Sequence, residues 1–193
     1  MKILLINNHT RYLQKILDEL STHDVQVADF APGVKLDDAG KDLIILSGGG
    51  GKGRELKDLH HTGDLWYKDE LEFIIKTDKP ILGICMGFEL IAHAYGSRLV
   101  ELPRRVTGFR RIQTGQGAYI KQFKHHKWCI PEVSKDHFEV LGRSKIGVEM
   151  VRHKSRPILA IQFHPEISGG SLELAHLIKQ LQTFSLAHES QSA

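Results

Sequence analysis

The segment Ile81-Leu82-Gly83-Ile84-Cys85-Met86-Gly87 constrains this chain more than any other. After Pro80, the apolar residues Ile81, Leu82 and Ile84 read as a buried strand that stops at a cysteine set between two glycines. Gly87 then opens a helical pattern through Phe88, Leu90, Ile91, Ala92 and Tyr95. A G-x-C-x-G turn between strand and helix is the geometry of a nucleophile elbow, which lifts the side chain clear of the backbone toward whatever binds above the sheet. It also puts Cys85 at a helix N-terminus, where unpaired N–H groups and the helix dipole favour thiolate over thiol. Taken alone, the pattern fits a nucleophile and a packed core cysteine equally, since unpaired cysteine is among the most buried residue types.

A second strand tips the balance toward chemistry. Ile158-Leu159-Ala160-Ile161-Gln162-Phe163-His164-Pro165-Glu166 is an apolar run that ends on a histidine and, two residues on, a glutamate. A cysteine nucleophile needs a base to take its proton and return it to a leaving amine, and the base needs a third group to fix its tautomer. His164 and Glu166 are the residue types for those roles. Pro165 favours extended backbone at His164 and stiffens the turn, holding both side chains at a strand end.

Gly83-Ile84-Cys85-Met86-Gly87 together with Gln162-Phe163-His164-Pro165-Glu166 resembles the class I glutamine amidotransferase family, the glutaminase unit of GMP synthase, anthranilate synthase and similar enzymes. The resemblance extends over nearly the whole chain, with the strand Leu43 to Ser47 running into Gly48-Gly49-Gly50-Gly51 in the family's order. It implies Cys85 as nucleophile, His164 as acid/base and Glu166 as its orienting partner. It implies an oxyanion hole made by the Gly48, Gly49 and Gly50 loop and the backbone N–H of Met86, with Glu89 and His126 at positions used near the substrate. The implied reaction is hydrolysis of the glutamine side-chain amide through a cysteine thioester, with ammonia passed to a separate synthase, first of all one of GMP-synthase type. The alternatives are a free-standing hydrolase of γ-glutamyl amides or peptides, and a catalytically silent regulatory protein of the same fold.

Three departures from the family pattern bear on the substrate pocket. The glycine loop runs Gly48-Gly49-Gly50-Gly51-Lys52-Gly53 without the family's proline, so its oxyanion geometry is expected to be set by a ligand or partner. Glu89 stands where the family has glutamine; as an anion at the pocket mouth it would disfavour the substrate carboxylate unless Lys52 compensates, or it would recruit the substrate amino group. The same residue could equally face solvent or pair with Arg54. The family's His followed by a small residue reads here His125-His126-Lys127-Trp128.

Length and composition fit one compact enzyme domain over residues 1–193, with 41% hydrophobic residues. The chain has no apolar run of about 18 residues and no signal-peptide pattern at its start, so the expectation is a cytoplasmic protein with no membrane partner. Cys85 and Cys129 are the only cysteines, and a reducing compartment leaves both as thiols. A net charge of +3 is too slight to argue for nucleic acid, and no nucleic-acid partner is expected. Arg104, Arg105, Arg110 and Arg111 form the notable basic cluster, read either as a solvated loop face or as a surface for an acidic partner or phosphorylated substrate. Gly48 to Arg54 fails the phosphate-loop pattern, because Arg54 and Glu55 stand where Lys and Ser/Thr are required. His60-His61 and His125-His126 lack zinc-ligand spacing, so no metal and no cofactor is expected, and Cys129 reads as a packed thiol.

The expected fold is α/β, with a mainly parallel central sheet, helices on both faces and a β-rich insertion before the His-Pro-Glu strand. Strands are predicted at Lys2 to Ile6, Val25 to Asp29, Leu43 to Ser47 and Ile81 to Ile84. Helices are predicted at Tyr12 to Leu20, Leu65 to Thr77 and Gly87 to Tyr95. Short β runs follow at Ala118 to Phe123, Lys127 to Ile130, Phe138 to Arg143 and Gly147 to Arg152. Ile158 to Phe163 then returns to the core sheet, and a helix at Ser171 to Leu186 precedes a polar tail.

Overall fold

A computed structural model describes residues 1–49 and 66–189 of the chain. The predicted helix start at Leu65, the residues Gly50, Lys52 and Arg54, and the pair His60-His61 lie outside the described residues.

The strands whose sequences are unbroken apolar runs form the centre of one sheet. Strands β1 (Lys2–Asn7), β3 (Leu43–Leu46), β4 (Ile81–Ile84) and β9 (Ile158–Ile161) pair in parallel, with the more exposed β2 (Asp24–Asp29) at the edge beside β1. Every residue of β3, β4 and β9 is buried, as expected for parallel strands covered on both sides. Side-chain alternation divides their residues between two cores. One joins Leu4, Ile6, Ile44, Leu46 and Ile81 to Ile74 of α2 (Lys68–Lys76) and to Phe88 and Ile91 of α3 (Met86–Ala94). The other joins Ile3, Leu5, Leu43, Ile45 and Leu82 to Ile16 of α1 (Leu13–Glu19) and to α4 (Leu174–Glu189). Leu174, Leu177, Ile178 and Leu181 are the buried stripe of α4, at the i, i+3, i+4, i+7 spacing of one helical face.

The sheet is mixed, not mainly parallel. Its nine strands run β2-β1-β3-β4-β9-β8-β7-β5-β6, and beyond β9 all pairings are antiparallel: β8 (Gly147–His153), β7 (Phe138–Ser144), β5 (Val100–Thr114) and β6 (Tyr119–Cys129). The 15-residue β5 has no counterpart among the predicted strands, and β6 is one strand where two short runs were predicted. These two strands form a long hairpin arm, and Pro103, which cannot donate to a ladder, falls in the register irregularity between Glu101 and Val106. The arginine cluster therefore lies on a strand and not on a loop. Arg104, Arg105, Arg110 and Arg111 are exposed on β5, with no ion pair among the described residues.

Candidate active site

Two strand ends bring the sequence-predicted residues together. Register pairs Ile84 of β4 with Ile161 of β9, and the Cys85 N–H donates to the Ile161 carbonyl at 2.7 Å, so the chain leaves both strands at adjacent points. Gln162 N–H then donates to Glu149 O of β8 at 2.9 Å, and His164 N–H donates to Phe123 O of β6 at 2.8 Å. The hairpin arm thus holds the His-Pro-Glu segment against the parallel core.

Cys85 occupies the turn at φ 52°, ψ −101° and is the N-cap of α3. Among the described residues only His9, two residues beyond the end of β1, shares a positive φ without being glycine. Such a conformation costs on the order of 1–3 kcal/mol and persists only where the surroundings enforce it. The flanking glycines make the turn sterically possible: a Cβ on Gly83 would lie 2.9 Å from the Gly87 carbonyl and 2.5 Å from Ile91 Cδ1, and one on Gly87 would drive into the backbone of Leu46.

His164 and Glu166 are both buried, and His164 Nδ1 lies 2.8 Å from Glu166 Oε1. His164 Nε2 is buried with no hydrogen-bond partner among the described residues. Gly48 fits between this ring and the cysteine: a Cβ added to it would be 3.1 Å from His164 Cε1 and 3.5 Å from Cys85 Cβ. Cys85, His164, Glu166 and Gly48 therefore share one small volume. Gly49 adjoins it under the Met86 side chain, which any Cβ at Gly49 would strike.

The wall around His164 was not legible in the motifs. Tyr12 stands edge-on to the imidazole with ring centroids 4.9 Å apart, and Phe123 packs at 6.4 Å. Thr10 brings its hydroxyl to the Gly48 side and accepts from the Tyr12 N–H at 3.2 Å. His125 and His126 point opposite ways, as successive residues of a strand must. His125 packs near Tyr12, at 6.3 Å between rings, and its carbonyl lies 3.8 Å from Cys85 Sγ. His126, the residue singled out from sequence, faces the interior with Nδ1 2.6 Å from Trp128 O. Period-2 alternation along β6 is the signal that distinguishes the two.

Burial controls the electrostatics. The Cys85 thiol is pushed well above its ordinary range by burial and then by the carboxyls of Glu89 and Glu166, against the Met86 N–H and the Gln162 side chain. Burial thus opposes the thiolate that a helix N-terminus favours, and the net direction is toward the thiol. Glu89 is not an anion at a pocket mouth. It is buried, accepts a hydrogen bond from Gln162 Nε2 at 2.8 Å, and burial pushes its carboxyl up to about 8, so it is uncharged at neutral pH. Burial also holds His126 down to about 4, leaving its ring neutral.

Among the described residues, no group of three or more His, Cys, Asp or Glu side chains is placed to hold a metal ion, and no helix is long and apolar enough to cross a membrane. Cys129 is a free, buried thiol.

Comparison with known proteins places this geometry. Residues 4–183 match the family described as Glutamine amidotransferase class-I. The chain is 32% identical over 179 residues to the glutamine-hydrolyzing GMP synthase subunit of Methanothermobacter thermautotrophicus, covering 86% of this chain and 88% of that protein. It is 27% identical over 182 residues to anthranilate synthase component II of Haloarcula marismortui, covering 86% and 84%. Among solved structures it resembles a protein described as a GMP synthase subunit from Thermoplasma acidophilum, with a TM-score of 0.77 at 23% identity over 100% of this chain and 98% of the other. That last likeness is one of fold.

Proposed function

This chain belongs to the class I glutamine amidotransferase family, and from that premise we propose that it hydrolyses the side-chain amide of glutamine at Cys85 and supplies the ammonia to a separate synthase. The observation that carries this reading is the convergence at Gly48 of a strained strand-end cysteine and a histidine with Nδ1 on a buried glutamate and Nε2 unpartnered.

Each part has a role in the proposal. Glu166 takes Nδ1 of His164, which leaves Nε2 as the nitrogen that exchanges protons with the reacting groups. The thiol is neutral at rest, so its proton passes to His164 as sulfur attacks the carboxamide carbon. The oxyanion forms against N–H groups of the glycine loop (Gly48, Gly49, Gly50) and of Met86. His164 then returns the proton to nitrogen, the C–N bond breaks, ammonia leaves and a γ-glutamyl thioester remains on Cys85. Water, losing a proton to His164, attacks the thioester; glutamate departs and the thiol is restored. Glu89 and His126 are proposed to act on the substrate pocket from beneath, Glu89 through Gln162 and His126 as a neutral ring. No cofactor enters the scheme.

The partner proposed is a synthase of the kind implied by relatives named as components of larger enzymes, first of all one of GMP-synthase type. A cytoplasmic setting and a single domain over residues 1–193 belong to the same proposal. So does the finer fold reading, with helices on both faces and a β-rich insertion before the His-Pro-Glu strand; the two separate core clusters and the run of antiparallel strands from β5 to β8 support it. The test is ammonia release from glutamine, measured alone and with the purified GMP synthase catalytic component from the same genome. Ammonia-dependent amination supported by glutamine in the presence of both proteins is the expected result. Absence of ammonia release under either condition would defeat the reading.

A further inference from the structure

A file of buried polar groups behind the glycine turn has no part in the reaction as described. Glu70, in the first turn of α2, is fully buried, and its Oε1 accepts a hydrogen bond from Asn8 Nδ2 at 2.9 Å. The Asn8 backbone N–H donates to Ser47 Oγ at 2.8 Å, and the Ser47 hydroxyl donates to the Gly48 carbonyl at 2.9 Å. Ser47 is itself fixed through its backbone: its N–H donates to Ile6 O at 3.0 Å, and its carbonyl accepts from the Gly87 N–H of α3 at 3.2 Å. An unbroken sequence of contacts therefore runs from α2, across the ends of β1 and β3, to the peptide that adjoins Cys85.

A trans peptide is planar, with its C=O and the following N–H directed opposite ways. A hydroxyl that holds the Gly48 carbonyl therefore aims the Gly49 N–H away from itself. Glycine has the widest backbone freedom of any residue, so without such an anchor this peptide could rotate at little cost. We propose that Glu70, Asn8 and Ser47 are positioning residues that lock the Gly48–Gly49 peptide with the Gly49 N–H turned toward the developing oxyanion. The inference deepens the glutaminase reading and rests on it.

Two further observations support this assignment. Glu70 Oε2 and Asn8 Oδ1 are both buried without a partner among the described residues, so the file is costlier to bury than an apolar filling of the same space. Retaining it is accounted for by what it holds in place. Burial also pushes the Glu70 carboxyl up to about 8, so the native group is uncharged at neutral pH and glutamine is its nearest substitute.

The test combines steady-state glutaminase kinetics with the backbone amide resonance of Gly49 in Ser47→Ala, Asn8→Ala, Glu70→Leu and Glu70→Gln. Ser47→Ala and Glu70→Leu are expected to lower kcat by about 10- to 100-fold with KM little changed, the cost of a donor misplaced by a fraction of an ångström to an ångström. Both should shift the Gly49 amide resonance, whereas Glu70→Gln should restore kcat and resonance to near wild type. Alkylation of Cys85 by iodoacetamide, which needs no oxyanion hole, should be unchanged throughout. Should Glu70→Leu not fold, Ser47→Ala and Asn8→Ala carry the test. The proposal is overturned if the Gly49 resonance does not move in Ser47→Ala, if the loss lies in KM, or if Glu70→Gln is as damaging as Glu70→Leu. Wild-type protein that releases no ammonia would defeat the glutaminase reading instead, and the Gly49 resonance would still decide whether the file sets the peptide.

Discussion

Gln162 donates its side-chain amide to Glu89 Oε1 at 2.8 Å, tying the chain just beyond β9 to the first turn of α3, one helical turn after Cys85. The contact is fully buried; burial, working against the Gln162 hydrogen bond, makes Glu89 an uncharged acid within the core where the sequence suggested an anion at a pocket mouth.

The expected outcome for Glu89→Gln follows from that charge state. At pH 7 the substitution replaces one neutral group by another, so KM for glutamine should change little. Above about pH 8 the wild-type carboxyl ionises beside the Cys85 thiol, and wild-type activity should fall relative to the variant. Rate profiles of both proteins from pH 6 to 9.5 provide the measurement; a large KM improvement at pH 7 would restore the anionic picture.

Stability should carry the same signature with a definite sign. Glu70 and Glu89 titrate near 8 in the folded chain against an ordinary value of 4.5. Between those values the native state holds protons that the unfolded chain has released, so stability is greatest below about 4.5 and is lost as pH rises through 8. His126, held down to about 4, contributes in the opposite sense over its own window, with stability rising as pH climbs toward 6.5. Subtracting the denaturation midpoints of Glu89→Gln from those of wild type across this range removes the His126 part. The difference should grow steadily against wild type from pH 5 to 8, and a flat difference would contradict the buried-acid assignment.

The pair His164 and Glu166 predicts a hierarchy. His164→Ala removes the proton carrier and should lower kcat by about 10²–10⁴-fold. Glu166→Gln keeps the geometry but weakens the hold on the tautomer, so it should cost less. Circular dichroism should show both variants folded. If Glu166→Gln is as active as wild type, another group orients His164.

Lys124 of β6 reaches across to Glu149 of β8 within the core, with Ser144 donating to the same carboxylate, and both charged side chains are 1% exposed. Removing one partner leaves the other buried and unpaired, so Glu149→Leu should destabilise the fold by about 3–5 kcal/mol. Lys124→Met combined with Glu149→Leu should recover much of that loss. Urea denaturation of the two single variants and the double variant checks the coupling.

The parallel half of the fold was legible because its strands are buried throughout and read as apolar runs; Ile81 to Ile84 was located to the residue. The hairpin arm was not, for a physical reason. β5 is exposed along most of its length and shows neither an apolar run nor clean alternation, and β6 buries Gln122, Lys124 and His126 on its inward side, where a sequence pattern expects apolar residues. Polar residues buried by pairing with Glu149 and Trp128 look like a break between two strands. At the site, Cys85, His164 and Glu166 stood out because strand ends advertise themselves in sequence. Tyr12, Ser47 and Glu70 did not, since each acts through a neighbour brought near only by folding.

The central claim is that Cys85 is the nucleophile for glutamine. It is tested most directly by peptide mass mapping after reaction with a diazoketone analogue of glutamine, with ammonia release followed on the same sample. The account predicts one adduct, on Cys85, formed in step with loss of ammonia release, with Cys129 unmodified. Adduct on Cys129 in place of Cys85, or ammonia release that survives full modification of Cys85, would contradict it.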